Sequence, residues 1–343
     1  MIWTTWRQHR AEAGVAGLIL AALVAAMLVV GSAARSRADA LGLPGCAVAK
    51  GECGRALEAL HRDFHTIPPF TAALIAMPLL AGMFWAAPLV SREYEAGTHR
   101  LAWTQSVSPR RWIVTKLALI FGALTVAAIV LGLLATWTLD PLTAAFSGRY
   151  NSTWYDTQGI VPVACMLFAL AVGVAASAVI RRTIPAMAIT LVVYAAARIP
   201  VHWFRSQFAP LASRSRTIPL RTLLQNPTGS PGDLLSSSVP PGAWLHSVSI
   251  TDPSGHAIPA NTGNFDVLQN YCPHLQSNAA RTGLLNVDAC RSTVANLSLH
   301  GKITYQPESH FWLMQSVESA IFVVAAALFV AVAVFAVTRR RPT

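Results

Sequence analysis

His61 and His65, in the stretch HRDFH, stand four residues apart, a spacing that on a helix would let two imidazoles share a metal ion. No third ligand is obvious, and loop histidines are far more often solvated polar groups, so no metal site is expected. Enzyme chemistry has less to stand on. G-x-x-x-x-G-K-[ST], H-E-x-x-H and G-x-S-x-G are all absent, which removes the phosphate-cradling loop, the zincin helix and the nucleophile elbow. There is no RNP-like motif and no paired CxxC or Cys/His zinc spacing. Asn151-Ser-Thr and Asn296-Leu-Ser match glycosylation sequons, a pattern that also arises by chance. Two ionisable residues stand out because of their surroundings: Arg198, in VVYAAARIPVHWF, and Glu318, in FWLMQSVESAIF.

Both neighbourhoods are apolar, and so is most of the chain. Of 343 residues, 54% are hydrophobic and only 12% charged, with mean hydropathy +0.47. Soluble domains carry about 25% charged residues. A net charge of +11 could point to nucleic acid, but the basic residues cluster beside apolar runs, as they do in membrane proteins. Windows at 13–34, 70–90, 114–139, 159–180, 183–203 and 310–337 are long enough to cross a hydrocarbon core of roughly 30 Å. They lack the alternation of a barrel strand, so each must be a helix that satisfies its own backbone. Pro78, Pro88, Pro162 and Pro185 each free a carbonyl, tolerable near helix ends or against neighbouring helices.

Arg7 and Arg10 precede the first window, and Arg92, Arg100, Arg110, Arg111 and Lys116 lie between the second and third. Arg181 and Arg182 separate the fourth and fifth; Arg339, Arg340 and Arg341 follow the sixth. Alternating spans put all four clusters on one side, which the positive-inside rule makes cytoplasmic, with both termini. The first forty residues mimic a signal peptide, but the apolar run exceeds an h-region, so an uncleaved span is expected. Trp3 and Trp6 suit the headgroup interface, and residues 1–12 are expected to form a short interfacial helix.

Cysteines give an independent check on sidedness. Cys46 and Cys53 fall in the first exported segment and Cys272 and Cys290 in the last, while Cys165 lies within the fourth span. An even pair in each exported segment fits disulfides, expected as Cys46–Cys53 and Cys272–Cys290, although sequence alone allows other pairings. Cys165 reads as a small packing residue. Residues 204–309 are rich in Pro, Ser, Asn and Gly; WLHSVSITDPSGHAI reads as two short strands about a turn, and 286–299 as a helix. Too small to have much core of its own, this domain is expected to rely on its disulfide and on the helices of the membrane part. A structured cap and a lid over an exit path remain equally open roles for it.

A charge at the centre of a membrane helix costs roughly 2.5–3.5 kcal/mol, so it tends to be paired or to face water. Arg198 and Glu318 lie on antiparallel spans at similar depth, around 10 Å below the outer surface by helical rise. They are expected to pair across spans five and six, as a packing clamp more readily than as a substrate or proton site.

The segment SREYEAGTHRLAWTQSVSPRRWIVTK is then cytoplasmic. Ser108-Pro109 is a helix start, with serine at the N-cap and proline at the first helical position. Thr98 could cap a short helix over His99–Gln105 that offers Leu101, Trp103 and Arg100 to a partner, with Arg92, Glu93 and Glu95 crowding its approach. A plain solvated connection explains the arginines but not the Glu-x-x-x-Gly-Thr spacing or the tryptophan.

Glu93-x-x-x-Gly97-Thr98, Leu101, Ser108-Pro109 and Lys116 at the start of a span resemble the cytoplasmic loop of ABC-2-type transporter permeases. YQPESHFW and QSVES, within 305–319, are similar to the start of the last helix in a group of actinobacterial permeases known only as transporters. The resemblance implies an all-α polytopic membrane protein: an interfacial segment 1–12, spans one to five over 13–203, a small mixed extracytoplasmic domain at 204–309, and a sixth span with a basic tail at 310–343. It further implies half of a pore, completed by a second copy as a homodimer among membrane lipids, and separately encoded ATP-binding-cassette subunits. Those ATPases would bind ATP and Mg while this chain binds no cofactor and no nucleic acid. Loop 91–113, with Arg92, Glu93, Glu95, Gly97, Thr98, Arg100, Leu101 and Trp103, would be the coupling element they grip. The chain would then be a non-catalytic subunit exporting a hydrophobic or amphipathic compound such as a drug, lipid or peptide. Two rivals are a membrane sensor or assembly protein with an extracytoplasmic ligand-binding domain, which needs no ATPase, and an intramembrane enzyme, for which no convincing polar set exists.

Overall fold

A computed structural model describes residues 2–43, 53–66, 69–96, 109–146, 148–226, 228–272 and 287–339. The chain divides into two compact units, one of residues 1–208 and 311–343 and one of residues 209–310.

The first unit begins with α1 (Ile2–Ala40), one continuous helix where a separate interfacial helix over 1–12 was expected. No proline interrupts residues 2–40, and a glycine inside a helix costs only about 1 kcal/mol relative to alanine. Next come α2 (Gly54–Asp63) and α3 (Pro69–Ala81), which continues through a π-helical stretch, Gly82–Ala86, into α4 (Pro88–Glu95). In that stretch Ala87 N–H donates to Gly82 O at 2.9 Å, five residues back, and Pro88 has no N–H to resume the tighter ladder. α5 (Pro109–Leu139) leads to α6 (Ser152–Tyr155), capped by the Asn151 side chain, which accepts from Thr153 N–H at 3.2 Å. Only Arg181 and Arg182 separate α7 (Val161–Ile180) from α8 (Thr183–Phe204). Arg181 takes the left-handed conformation, φ 57°, that reverses the chain.

The second unit holds β1 (Ala212–Pro219), α9 (Leu220–Leu223), α10 (Pro231–Ser236), β2 (Trp244–Thr251), β3 (Ala257–Ile258), α11 (Asn264–Gln269), α12 (Val287–Thr293) and β4 (Ser298–Gln306). α13 (Phe311–Arg339) then returns to the first unit.

Among the described residues six helices are long and apolar enough to cross a membrane: Gly17–Ala40, Phe70–Glu95, Arg111–Leu142, Val161–Ile180, Thr183–Gln207 and Glu308–Thr338. Their order and positions follow the apolar windows of the sequence. α7 is the hub, buried along most of its length and packed against α13, α8, α5, α3 and the π stretch. Met166, Leu170 and Val174 of α7 join Leu89, Val90, Ile113 and Val337 in one cluster. α1 packs on α5 through Met27, Ala34, Leu131, Ala135 and Leu139. The approach of α7 to the second span is close enough to require glycine on both sides. A β-carbon at Gly173 would lie 2.4 Å from Gly82 O, and one at Gly82 would lie 2.6 Å from Ala169 O.

In the second unit the strands form an antiparallel sheet in the order β1-β4-β2-β3. β2 and β3 flank the Asp252–Gly255 turn as expected; the helix expected over 286–299 is present but ends at Thr293, and β4 begins at Ser298, within the last two residues of that range. Leu299, Ile303 and Tyr305 fall on alternate positions of β4, a period of two rather than 3.6. The expectation of a domain without much core is also corrected. Ile218, Leu220, Leu223, Leu235, Ile250, Val267, Leu268, Val294, Leu299 and Ile303 pack together around a buried Cys272–Cys290 disulfide, Cα–Cα 5.6 Å. Replacing both cysteines with serine releases a loop of 18 residues and is expected to destabilise this unit by about 3 kcal/mol. Thermal unfolding of the full chain, followed by protease resistance of residues 209–310, reads that loss.

Candidate functional site

Among the described residues of the first unit, two polar assemblies bring the candidate residues together. At one end of α8, Arg198 and His202 stand four residues apart, and Arg205 follows in a short 3-10 turn, Arg205–Gln207. These residues meet Glu318 of α13 and Asp156, the residue after α6. Arg198 forms ion pairs with Glu318 through Nη1 and with Asp156 through Nη2, the second at 2.6 Å. Arg205 does the same: Nε donates to Glu318 Oε2 at 2.9 Å, and Nη2 pairs with Asp156 and donates to Glu318 Oε1 at 3.1 Å. His202 Nδ1 lies 3.7 Å from Asp156 Oδ2. Each carboxylate therefore touches both guanidiniums, and the two positive and two negative charges balance.

Burial sets what this cluster can do. The side chain of Glu318 is 0% exposed, Arg205 4%, Asp156 10% and Arg198 15%. The Arg205 guanidinium also stacks 4.0 Å from the centre of the Tyr155 ring, a contact strengthened by desolvation. Burial alone would push the Asp156 carboxyl up, but the neighbouring His202 imidazole and the two guanidiniums hold it below the usual carboxylate range. Asp156 is thus charged at neutral pH. Its stabilising effect is present above the ordinary carboxylate pKa, about 4, and is lost as pH falls through the lower folded value. The cluster is an ionic clamp that joins α8, α13 and the segment before α7.

One turn before Glu318, Gln315 completes the clamp. Its Oε1 accepts from Ile160 N–H at 3.1 Å and Val161 N–H at 3.0 Å, while its Nε2 donates to Tyr155 O at 3.1 Å. The N-terminus of α7 is thereby capped from another helix. Gly159 makes room for this amide: it has φ +70°, and a β-carbon there would lie 2.7 Å from Gln315 Oε1. Gln315→Leu strands two backbone donors at about 1–3 kcal/mol each. The expected result is a clear fall in melting temperature with the helix content unchanged by circular dichroism.

The second assembly surrounds the end of α4. Glu93 pairs with Lys116 of α5, whose ammonium lies 4.6 Å from the centre of the Trp112 ring. Glu95 Oε1 accepts from Thr183 N–H at 2.9 Å, and Oε2 accepts from the Thr183 hydroxyl at 2.8 Å. Ser91 Oγ lies 2.9 Å from Thr183 Oγ1, and Ser91 N–H donates to Ser177 Oγ at 2.7 Å. Arg181 sits 4.7 Å above the Tyr94 ring. Arg92 is exposed. Gly97, Thr98, Arg100, Leu101 and Trp103 lie outside the described residues, as does Cys46, and with it the Cys46–Cys53 pairing.

Of the remaining candidates, His61 packs on Phe146 with ring centres 4.4 Å apart, and His65 Nδ1 lies 2.7 Å from Arg62 O. Cys165 is buried in α7. The sequence brought Arg198 to Glu318 but missed Asp156, Arg205 and Gln315. Asp156 and Arg205 fall just outside the apolar windows. The available signal was the spacing of Arg198, His202 and Arg205, which shares one helical face.

A family model described as ABC-2 membrane transporter related matches residues 17–205, the first five long helices. No curated protein and no solved structure matches the chain.

Proposed function

The chain belongs to the ABC-2 membrane transporter related family, a multi-pass membrane component of transport, and on that premise we propose that it is the permease subunit of an ATP-driven exporter. Two copies form the pore in the cell membrane, with both termini and loop 91–113 cytoplasmic and residues 204–309 outside. ATP and Mg are bound by separately encoded ATPase subunits, since this chain carries no Walker-type loop of its own. The cargo is a hydrophobic or amphipathic compound.

The observation that supports this reading best is the bracing of loop 91–113 at its base. Glu93 fixes the end of α4 to α5, and Glu95 fixes it to α8. A loop merely joining two spans has no need of such posts, whereas a loop that receives force does. In this reading the ATPase grips Gly97, Thr98, Arg100, Leu101 and Trp103, and closure of the ATPase pair moves the helices on which the posts stand. A photo-crosslinking side chain at Trp103 tests it: crosslinks to the ATPase are expected from this position and none from a control at Lys302. Crosslinks from neither position, or from Lys302 alone, would contradict the placement of the loop.

A further inference from the structure

We propose that Glu95 is a positioning residue rather than a contact for the ATPase: its carboxylate links the base of loop 91–113 to the start of α8. The inference rests on the reading that the loop is driven by an ATPase, and it names the helix that receives the motion. Three observations carry it. First, both oxygens of Glu95 are used on one residue, Thr183, at 2.9 and 2.8 Å. Thr183 is the first residue of α8, and the N-cap Arg182 supplies no side-chain cap. A helix start carries unpaired N–H groups and partial positive charge, so a carboxylate from another helix fits there.

Second, α4 is bonded to the end of α7 as well, through Val90 and Ser91 in its first half. Ser177 Oγ accepts from Ser91 N–H at 2.7 Å and from Val90 N–H at 3.3 Å. Only two residues separate α7 from α8, so α4, the end of α7 and the start of α8 form one hydrogen-bonded block. Third, α8 carries Arg198 into the ionic clamp. Fifteen residues of helix separate Thr183 from Arg198, roughly 22 Å at 1.5 Å per residue. A push at Glu95 is therefore delivered along a continuous helix to the clamp on the far side of the membrane.

The test uses the full chain assembled with its ATPase in lipid nanodiscs. A cysteine at Gln207, exposed at the far end of the α8 span, is labelled with a water-soluble maleimide, with and without ATP and orthovanadate. In the otherwise unaltered protein, trapping the nucleotide should change the labelling rate by about fivefold or more. Glu95→Ala should retain the bound ATPase yet bring that change to within about twofold of none, roughly the effect of losing one helix cap. Glu95→Gln should restore most of the response, because an amide oxygen still accepts from Thr183 N–H. Thr183→Val, which keeps the N–H and removes the hydroxyl, should give an intermediate response and serves if Glu95→Ala does not fold. Loss of the ATPase from the Glu95→Ala complex would make Glu95 a docking contact and overturn the proposal. A full response in Glu95→Ala would overturn it too. Failure of the unaltered chain to hold an ATPase would instead overturn the reading on which the proposal rests.

Discussion

Replacing Glu318 with leucine is expected to cost about 3–5 kcal/mol, because it leaves two buried guanidiniums facing the single carboxylate of Asp156. The side chain is fully enclosed, so water cannot take its place. Melting in detergent, read by the loss of monodisperse protein on gel filtration, should show a large downward shift. The sign of a second change separates charge from packing. Adding Arg198→Leu to Glu318→Leu removes one charge of each sign and leaves the Arg205–Asp156 pair. Stability should then recover in part, since a balanced buried cluster exchanged for apolar side chains is often near neutral. A double variant as unstable as the sum of its parts would mean that packing, not charge, sets the cost. Acid probes the same cluster: melting should hold steady down to about pH 4 and fall below it as Asp156 takes a proton.

Gly173→Val should have an effect of similar size by a different route. The new β-carbon would sit 2.4 Å from Gly82 O and 2.8 Å from Ala86 Cβ. Backbone rather than a flexible side chain blocks it, so the second span must move away from α7. Overpacking commonly costs 1–3 kcal/mol and more where backbone must shift, so about 3 kcal/mol or more is expected. Gly122→Val, where nothing lies within 4 Å of the added carbon, is the matched control and should melt like the unaltered chain. Equal losses from both would indicate a general intolerance of valine in these helices.

Much of the membrane part could be read from composition, because lipid leaves the backbone few options and a helix of about 20 apolar residues is a coarse target. The pairing of Arg198 with Glu318 was legible for the same reason: two charges at equal depth on antiparallel spans have few other partners. What escaped were contacts made by residues whose meaning depends on the folded chain. Asp156 and Arg205 look like ordinary loop charges until the segment before α7 and the end of α8 come together. Glu93 and Glu95 read as residues offered to a partner, yet both are engaged by Lys116 and Thr183, 23 and 88 positions away. β4 was hidden by Gly301, which breaks the apolar alternation while leaving room for Leu235, 2.4 Å from where its β-carbon would be. The π stretch at Gly82–Ala86 packs against α7, a contact that no local sequence pattern announces.

The most direct measurement is co-purification of the full chain with an ATP-binding-cassette subunit encoded beside it, with ATP hydrolysis recorded for the unaltered chain and for a Glu93→Ala, Gly97→Val double variant. A stable complex whose hydrolysis or assembly is impaired by the double variant is the predicted result. A chain that purifies without any ATPase under mild detergent conditions would contradict the permease reading at its root.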